Sequence, residues 1–162
     1  MSAENKALVR QLTEHLVNKQ VDSAAKLLHP EFMYNAPGFP QLRGPKEWAA
    51  LMGAFYANSP NLQFKVQEQI GEGNSVATHL VWTTVHEREF MGMPPTGLKL
   101  SMSSVAIHHV RDGKVVAQWV YDDYLGLFKQ LGAIPTGLVQ QRMDVPGGLG
   151  ERSVEVLVPG RG

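Results

Sequence analysis

Between Val105 and Gly132 the chain gathers titratable side chains in a pattern that could move protons. His108 and His109 stand just before an Arg111-Asp112-Gly113-Lys114 turn, and Asp122 and Asp123 stand just before Tyr124. Asp112-Gly113 between two β-rich runs predicts a two-residue hairpin, because a type I′ turn needs positive φ at both central positions. Val105, Ile107, Val110, Val115, Val116 and Val120 suit a pleated surface. A long antiparallel hairpin thus carries two adjacent histidines on one strand and two adjacent aspartates on the other. Carboxyl and imidazole groups sharing a pocket are the usual agents of general acid/base catalysis.

The elements around this hairpin follow from period and punctuation. Residues 2–18 read as an amphipathic helix, with Leu8, Leu12 and Leu16 at every fourth position. A second helix is expected from about Val21 to Leu28, ended by His29-Pro30 because the residue before proline avoids the α region. Phe32 to Asn35 reads as a short strand. Gly44-Pro45 opens a third helix whose Trp48, Leu51, Met52 and Phe55 form an apolar face. From Asn61 the period becomes two: Leu62, Phe64, Val66 and Ile70 alternate with polar residues. Gly71 to Asn74 turns the chain, Ser75 to Phe90 forms a second long strand, and Pro94-Pro95 leads into the hairpin. Helices first and a meander after predict an α+β fold: three N-terminal helices on a strongly curved antiparallel sheet, a cone with a pocket inside.

Composition narrows the chemistry. The 162 residues suggest one main domain over 1–132, followed by a Gly- and Pro-rich extension over 133–162 that reads as a dimer-contacting strand or a disordered tail. Lys plus Arg equals Asp plus Glu at 15 each, which speaks against nucleic acid as a partner. With no cysteine there is no disulfide, thiolate metal site or thiol nucleophile. No apolar run approaches the roughly 20 residues of a membrane span, and residues 1–20 are charged and amphipathic, so a cytoplasmic protein without membrane contact is expected. No His-x-x-x-His, phosphate loop, dinucleotide fingerprint or nucleophile elbow is present, so neither metal nor cofactor is expected.

The segment His86-x-x-Glu89-Phe90-Met91-Gly92-x-Pro94-Pro95-Thr96-Gly97, followed by Arg111-Asp112-Gly113-Lys114-Val115, Trp119-x-x-x-Asp123 and Gln130-Leu131-Gly132, resembles the SnoaL-like polyketide cyclases of the NTF2-like superfamily. The resemblance covers residues 5–132 in layout, with its specific motifs in 86–132. It implies the cone fold and cofactor-free ring closure of a hydrophobic polyketide by an intramolecular aldol reaction; a homodimer formed through the sheet is also expected. In that family an aspartate at the end of the last strand is the acid/base, aided by a histidine on the neighbouring strand. By motif these are Asp123 and His109. Leu98 departs from a lysine common in the family, and the extension after Gly132 is longer than the family pattern.

Strict alternation from a two-residue turn disagrees with the motif. It puts Asp123 on the face of His108, Trp119 and Tyr121, and Asp122 on that of His109 and Gln118. A β-bulge would shift parity by one, so both His108 and His109 stay open as the partner. Asp123 also fits a helix N-cap, and Asp122 a solvated residue. Tyr34, Asn35, His86, Trp48, Met52, Phe55 and Trp119 complete the expected substrate-contacting set, each with a structural role as its alternative. Two other functions compete: an epoxide hydrolase, which would want an arginine beside the aspartates, and a small-molecule-binding module without catalysis.

Overall fold

The computed structural model describes residues 2–134, so the extension over 133–162 lies, beyond its first two residues, outside the described residues. The elements run α1 (Ser2–Val17), α2 (Val21–Ala25), β1 (Leu28–Asn35), β2 (Leu42–Arg43), α3 (Gly44–Asn58), β3 (Gln63–Glu72), β4 (Ser75–Val85), β5 (Lys99–Arg111), β6 (Lys114–Asp122) and α4 (Tyr124–Gln130). One six-stranded curved sheet has the order β2-β1-β6-β5-β4-β3. Every neighbouring pair is antiparallel except β1 and β6, which run parallel. The α+β cone is therefore as expected, with one parallel junction where the chain's first strand meets its last.

Two elements have different bounds from those expected, for local reasons. Helix α2 ends at Ala25, and strand β1 is already running at Leu28, before Pro30. Pro30 is tolerated there because pairing with β6 is interrupted between Leu28 and Met33, so no ladder hydrogen bond is asked of it. Strand β4 stops at Val85 and does not reach Phe90. The His86 amide donates to the Leu98 carbonyl while the His86 carbonyl accepts from Thr96 and Gly97, which folds residues 87–97 into a corner.

Two bulges decide which side chains face inward. In β3 the register slips between Val66 and Glu68. Alternation is reset, so Ile70, expected on the inner face, is 61% exposed. Gln69 instead donates to Thr78, and Gly71 lies under α1, where an added Cβ would sit 2.8 Å from the Lys6 side chain. In β6 the slip falls between the His109–Ala117 and Val110–Val115 pairs, leaving Val116 as the extra residue. Beyond it His108 is opposite Gln118 and Ser104 opposite Asp122. The hairpin itself forms as the sequence predicts, with Asp112 at φ 52° and Gly113 at φ 70°.

The core has two centres. Val9, Leu12, Phe32, Trp48, Val76 and Val115 pack at one end of the cone, with Phe32 meeting Trp48 edge-on at 6.3 Å. Leu100, Met102 and Leu127 pack at the other, joined by Trp82, Phe90 and Tyr124. No helix of the described residues is long and apolar enough to cross a membrane. Gly113→Ala forces a Cβ into the left-handed region at the hairpin. It should cost about 1 kcal/mol of unfolding free energy in a denaturant titration.

Candidate active site

Between the two core centres lies a cavity of about 110 Å³ walled by apolar side chains, among them Leu16, Phe55, Phe64, Leu80 and Trp82. Few polar groups enter it. Strand β6 contributes Gln118 and Asp122, β5 contributes Ser104 and His108, β1 contributes Tyr34, α4 contributes Tyr124, α1 contributes Thr13, and Ser59 follows α3. Because residues opposite each other in an antiparallel pair share a face, Ser104 with Asp122 and His108 with Gln118 make two polar stations along one strand pair. Four residues of strand separate them, about 13 Å at roughly 3.3 Å per residue.

At the first station Ser104 Oγ donates to Asp122 Oδ1. Burial pushes the Asp122 carboxyl above its ordinary value, and the Ser104 hydroxyl, which favours the charged form, only partly opposes this. Tyr34 is raised well above the usual phenol range, chiefly by burial and secondly by the charge of Asp122. Tyr124 is pushed up to about 12 for the same two reasons. Both phenols thus stay protonated at neutral pH and are donors beside a carboxylate. At the second station burial pushes the His108 imidazole down to about 4, against the Val76 backbone, which favours the charged form. That ring is neutral at pH 7.

The expected residues divide between the two faces of the sheet. Tyr34, Trp48, Met52, Phe55, His108 and Asp122 line the cavity. Asp123 does not. Its side chain accepts from the Gly126 amide at 2.9 Å as the N-cap of α4, and a Cβ on Gly126 would strike that carboxylate at 2.2 Å. His109 points away as well: its Nδ1 meets Ser75 Oγ at 3.0 Å and its ring stands edge-on to Trp119 at 5.1 Å. Trp119 and Asn35 line a shallow outer depression, where Asn35 accepts from Gln41. His86 is buried at the 86–97 corner with Nδ1 2.9 Å from Thr96 Oγ1, and it is not part of the cavity wall. The bulge at Val116 is the physical reason for this exchange: it shifts the parity of β6 against the regular β5, so that Asp122 joins His108 on the inner face and Trp119 joins His109 on the outer one.

Sequence reasoning did not single out Ser104, Gln118 or Tyr124 as site residues. The signal for the first two was cross-strand pairing with Asp122 and His108, which needs the bulge to be placed first. Among the described residues no group of three or more His, Asp and Glu side chains could hold a metal ion. Three buried polar atoms of the wall have no hydrogen-bond partner among the described residues: Trp48 Nε1, His108 Nδ1 and Gln118 Oε1. Each such orphan costs roughly 1–3 kcal/mol.

The profile of the SnoaL-like polyketide cyclases matches residues 6–131. The chain belongs to that family, and it is an enzyme of the cyclase type. It is 33% identical over 135 residues to the aklanonic acid methyl ester cyclase AcmA of Streptomyces galilaeus, covering 80% of this chain and 92% of that one. It is 32% identical over 130 residues to the aklanonic acid methyl ester cyclase DnrD of Streptomyces peucetius, covering 77% and 88%. Among solved structures it is similar to AclR of Streptomyces galilaeus, a provisionally assigned hydroxylase, with a TM-score of 0.74, 27% identity and coverage of 83% and 100%.

Two stability predictions separate the adjacent aspartates. Asp123→Ala removes a cap and should lower stability by about 1 kcal/mol. Asp122→Asn should melt higher than wild type at pH 7, because a carboxyl whose folded pKa is raised loses stability as pH rises through that pKa. The gain should close as pH falls below the unfolded value of about 3.9. Thermal melts of both variants between pH 3 and 8 check the pair.

Proposed function

We propose that this chain closes a ring in a hydrophobic polyketide ester by an intramolecular aldol reaction, with the Asp122 carboxyl as the acid/base. The observation that carries the proposal is a single carboxyl with a raised pKa in an apolar cavity, answered by one hydroxyl and flanked by two protonated phenols. Asp122 replaces Asp123 in this role and His108 replaces His109, because Asp123 is occupied as a helix cap and His109 lies on the other face. The relatives' substrate, aklanonic acid methyl ester, indicates a polyketide methyl ester as the substrate class.

The chemistry follows from the groups present. Asp122 as carboxylate takes a proton from carbon flanked by two carbonyls. The enolate carbon attacks a ketone carbon within the same molecule, and one C–C bond forms. The ketone oxygen becomes an alkoxide and takes its proton back from the Asp122 acid, so mass is unchanged and no water is consumed. A carbon between two carbonyls is already acidic, and one tuned carboxyl suffices without a cofactor. The Tyr34 and Tyr124 hydroxyls can donate to oxygen as charge develops on it. An epoxide hydrolase fits the site less well: Arg111 pairs with Glu31 on the exposed hairpin end, and no arginine among the described residues lines the cavity.

The same proposal makes the protein a homodimer formed through the outer face of the sheet, supported by the exposed apolar side chains of Val105 and Tyr121 there.

With aklanonic acid methyl ester as substrate, followed by liquid chromatography and mass spectrometry, wild type should give a product of shifted retention and unchanged mass. Asp122→Asn should lose about 10²–10⁴ in kcat, and Asp123→Asn should stay within a few-fold of wild type. The acid limb of kcat/KM should fall as pH drops through the Asp122 pKa, above the ordinary carboxylate range. Full activity in Asp122→Asn, or a product heavier by one water, would overturn the proposal.

A further inference from the structure

Among the described residues the sheet has one long open edge. Its terminal strands are β2, with two residues, and β3, with ten. Strand β3 pairs with β4 from Gln63 to Glu72, and no backbone group of the described residues bonds to its other side. An open edge of that length is a template for one more strand. It also carries apolar surface. Val66 is 37% exposed, and Ile70, displaced by the slip at Val66–Glu68, is at 61% the most exposed large hydrophobic residue described.

We infer that the segment Ser153-Val154-Glu155-Val156-Leu157-Val158 of the same chain adds to this edge as a further strand. The segment lies outside the described residues. Its pattern suits the place: Val154, Val156 and Val158 fall on one face of a strand, are β-branched, and are followed by Pro159, which cannot donate to a ladder. Beside β3 that face lies against Ile70. The reach is ample. Gln130 exchanges hydrogen bonds with the Ser101 backbone, Ser101 is opposite Thr83, and Thr83 is opposite Gln63, so the described chain ends level with the start of β3. A strand added beyond β3 lies about 14 Å from β5, at roughly 4.8 Å per strand. The chain from Ile134 to Ser153 spans up to roughly 60 Å when extended. A second copy of β3 fits the edge less well. Two such edges meeting antiparallel about their middle bring Glu68 against its own copy, and like charges directly opposite destabilise a pair. In the segment 153–158 the one charged residue, Glu155, falls on the face away from the valines, and so away from Glu68 and Glu72.

Hydrogen–deuterium exchange of the full chain tests the pairing. Amides of residues 63–72 should exchange about tenfold more slowly in wild type than in a Val156→Pro, Leu157→Pro double variant, while β5 exchanges alike in both. Adjacent prolines remove donors on both sides of the added strand, so one of them faces β3 in either orientation. Crosslinking tests the location, since the chain has no cysteine of its own. Ile70→Cys is combined in turn with Val154→Cys, Val156→Cys and Val158→Cys. One of the three pairs should form a disulfide within a single chain, because bridging needs Cα atoms within about 7 Å. Equal exchange over 63–72 in wild type and double variant overturns the proposal, as does a loss of protection shared by β5. Equal bridging by all three pairs, bridging by none, or a disulfide that joins two chains also overturns it.

Discussion

Asp122 stands in a cavity walled by side chains such as Trp82, Met102 and Val120, and among the described residues the Ser104 hydroxyl is the one hydrogen-bond donor to its carboxylate. Such a carboxyl is expensive to ionise, and that expense is what makes it a useful base near neutrality. The surrounding structure serves to keep it there. Helices α1 and α3 close the inner side of the sheet, α4 caps the open end, and Asp123 spends its own carboxylate fixing α4 to the strand end. Two aspartates adjacent in sequence thus have opposite effects on stability: one holds the helix, the other opposes the fold whenever it is charged. Function and stability pull against each other at a single residue, as expected of an active site built into a core.

Much of this architecture could be read from the residues. The helical period of Leu8, Leu12 and Leu16, the apolar face from Trp48 to Phe55 and the Asp112-Gly113 turn each predicted an element that is present. What could not be read was parity. Val116 belongs to a β-branched run like its neighbours and carries no mark of being the extra residue of a bulge. That one residue decides whether Asp122 or Asp123 shares the cavity face with His108. Ile70 was placed inside for the same reason and is exposed for the same reason, the slip at Val66–Glu68. Bulges depend on how a sheet curves against its helices, which is a property of the whole packing and not of a local run. Tyr124 was hidden differently: it precedes no recognisable period, and it lines the cavity as the first residue of α4, which begins two residues after β6 ends at Asp122.

Family membership constrains the fold more tightly than the reaction. The similar structure AclR is provisionally assigned as a hydroxylase, while the curated relatives are cyclases. The same cone can therefore serve unlike chemistries, and the polar groups inside must carry the argument. Here they are few, which helps. A raised carboxyl, two phenols that stay protonated and a neutral imidazole can shuttle a proton and stabilise an oxyanion.

The central claim is that Asp122 is the carboxyl whose pKa is raised by the cavity. A carbon-13 NMR titration of the aspartate side-chain carboxyls, with the Asp122 resonance assigned through its loss in Asp122→Asn, measures that directly. The account predicts a midpoint above the ordinary aspartate value of about 3.9. A midpoint at or below that value would contradict it, because the group would then be a poor base in a well-solvated site.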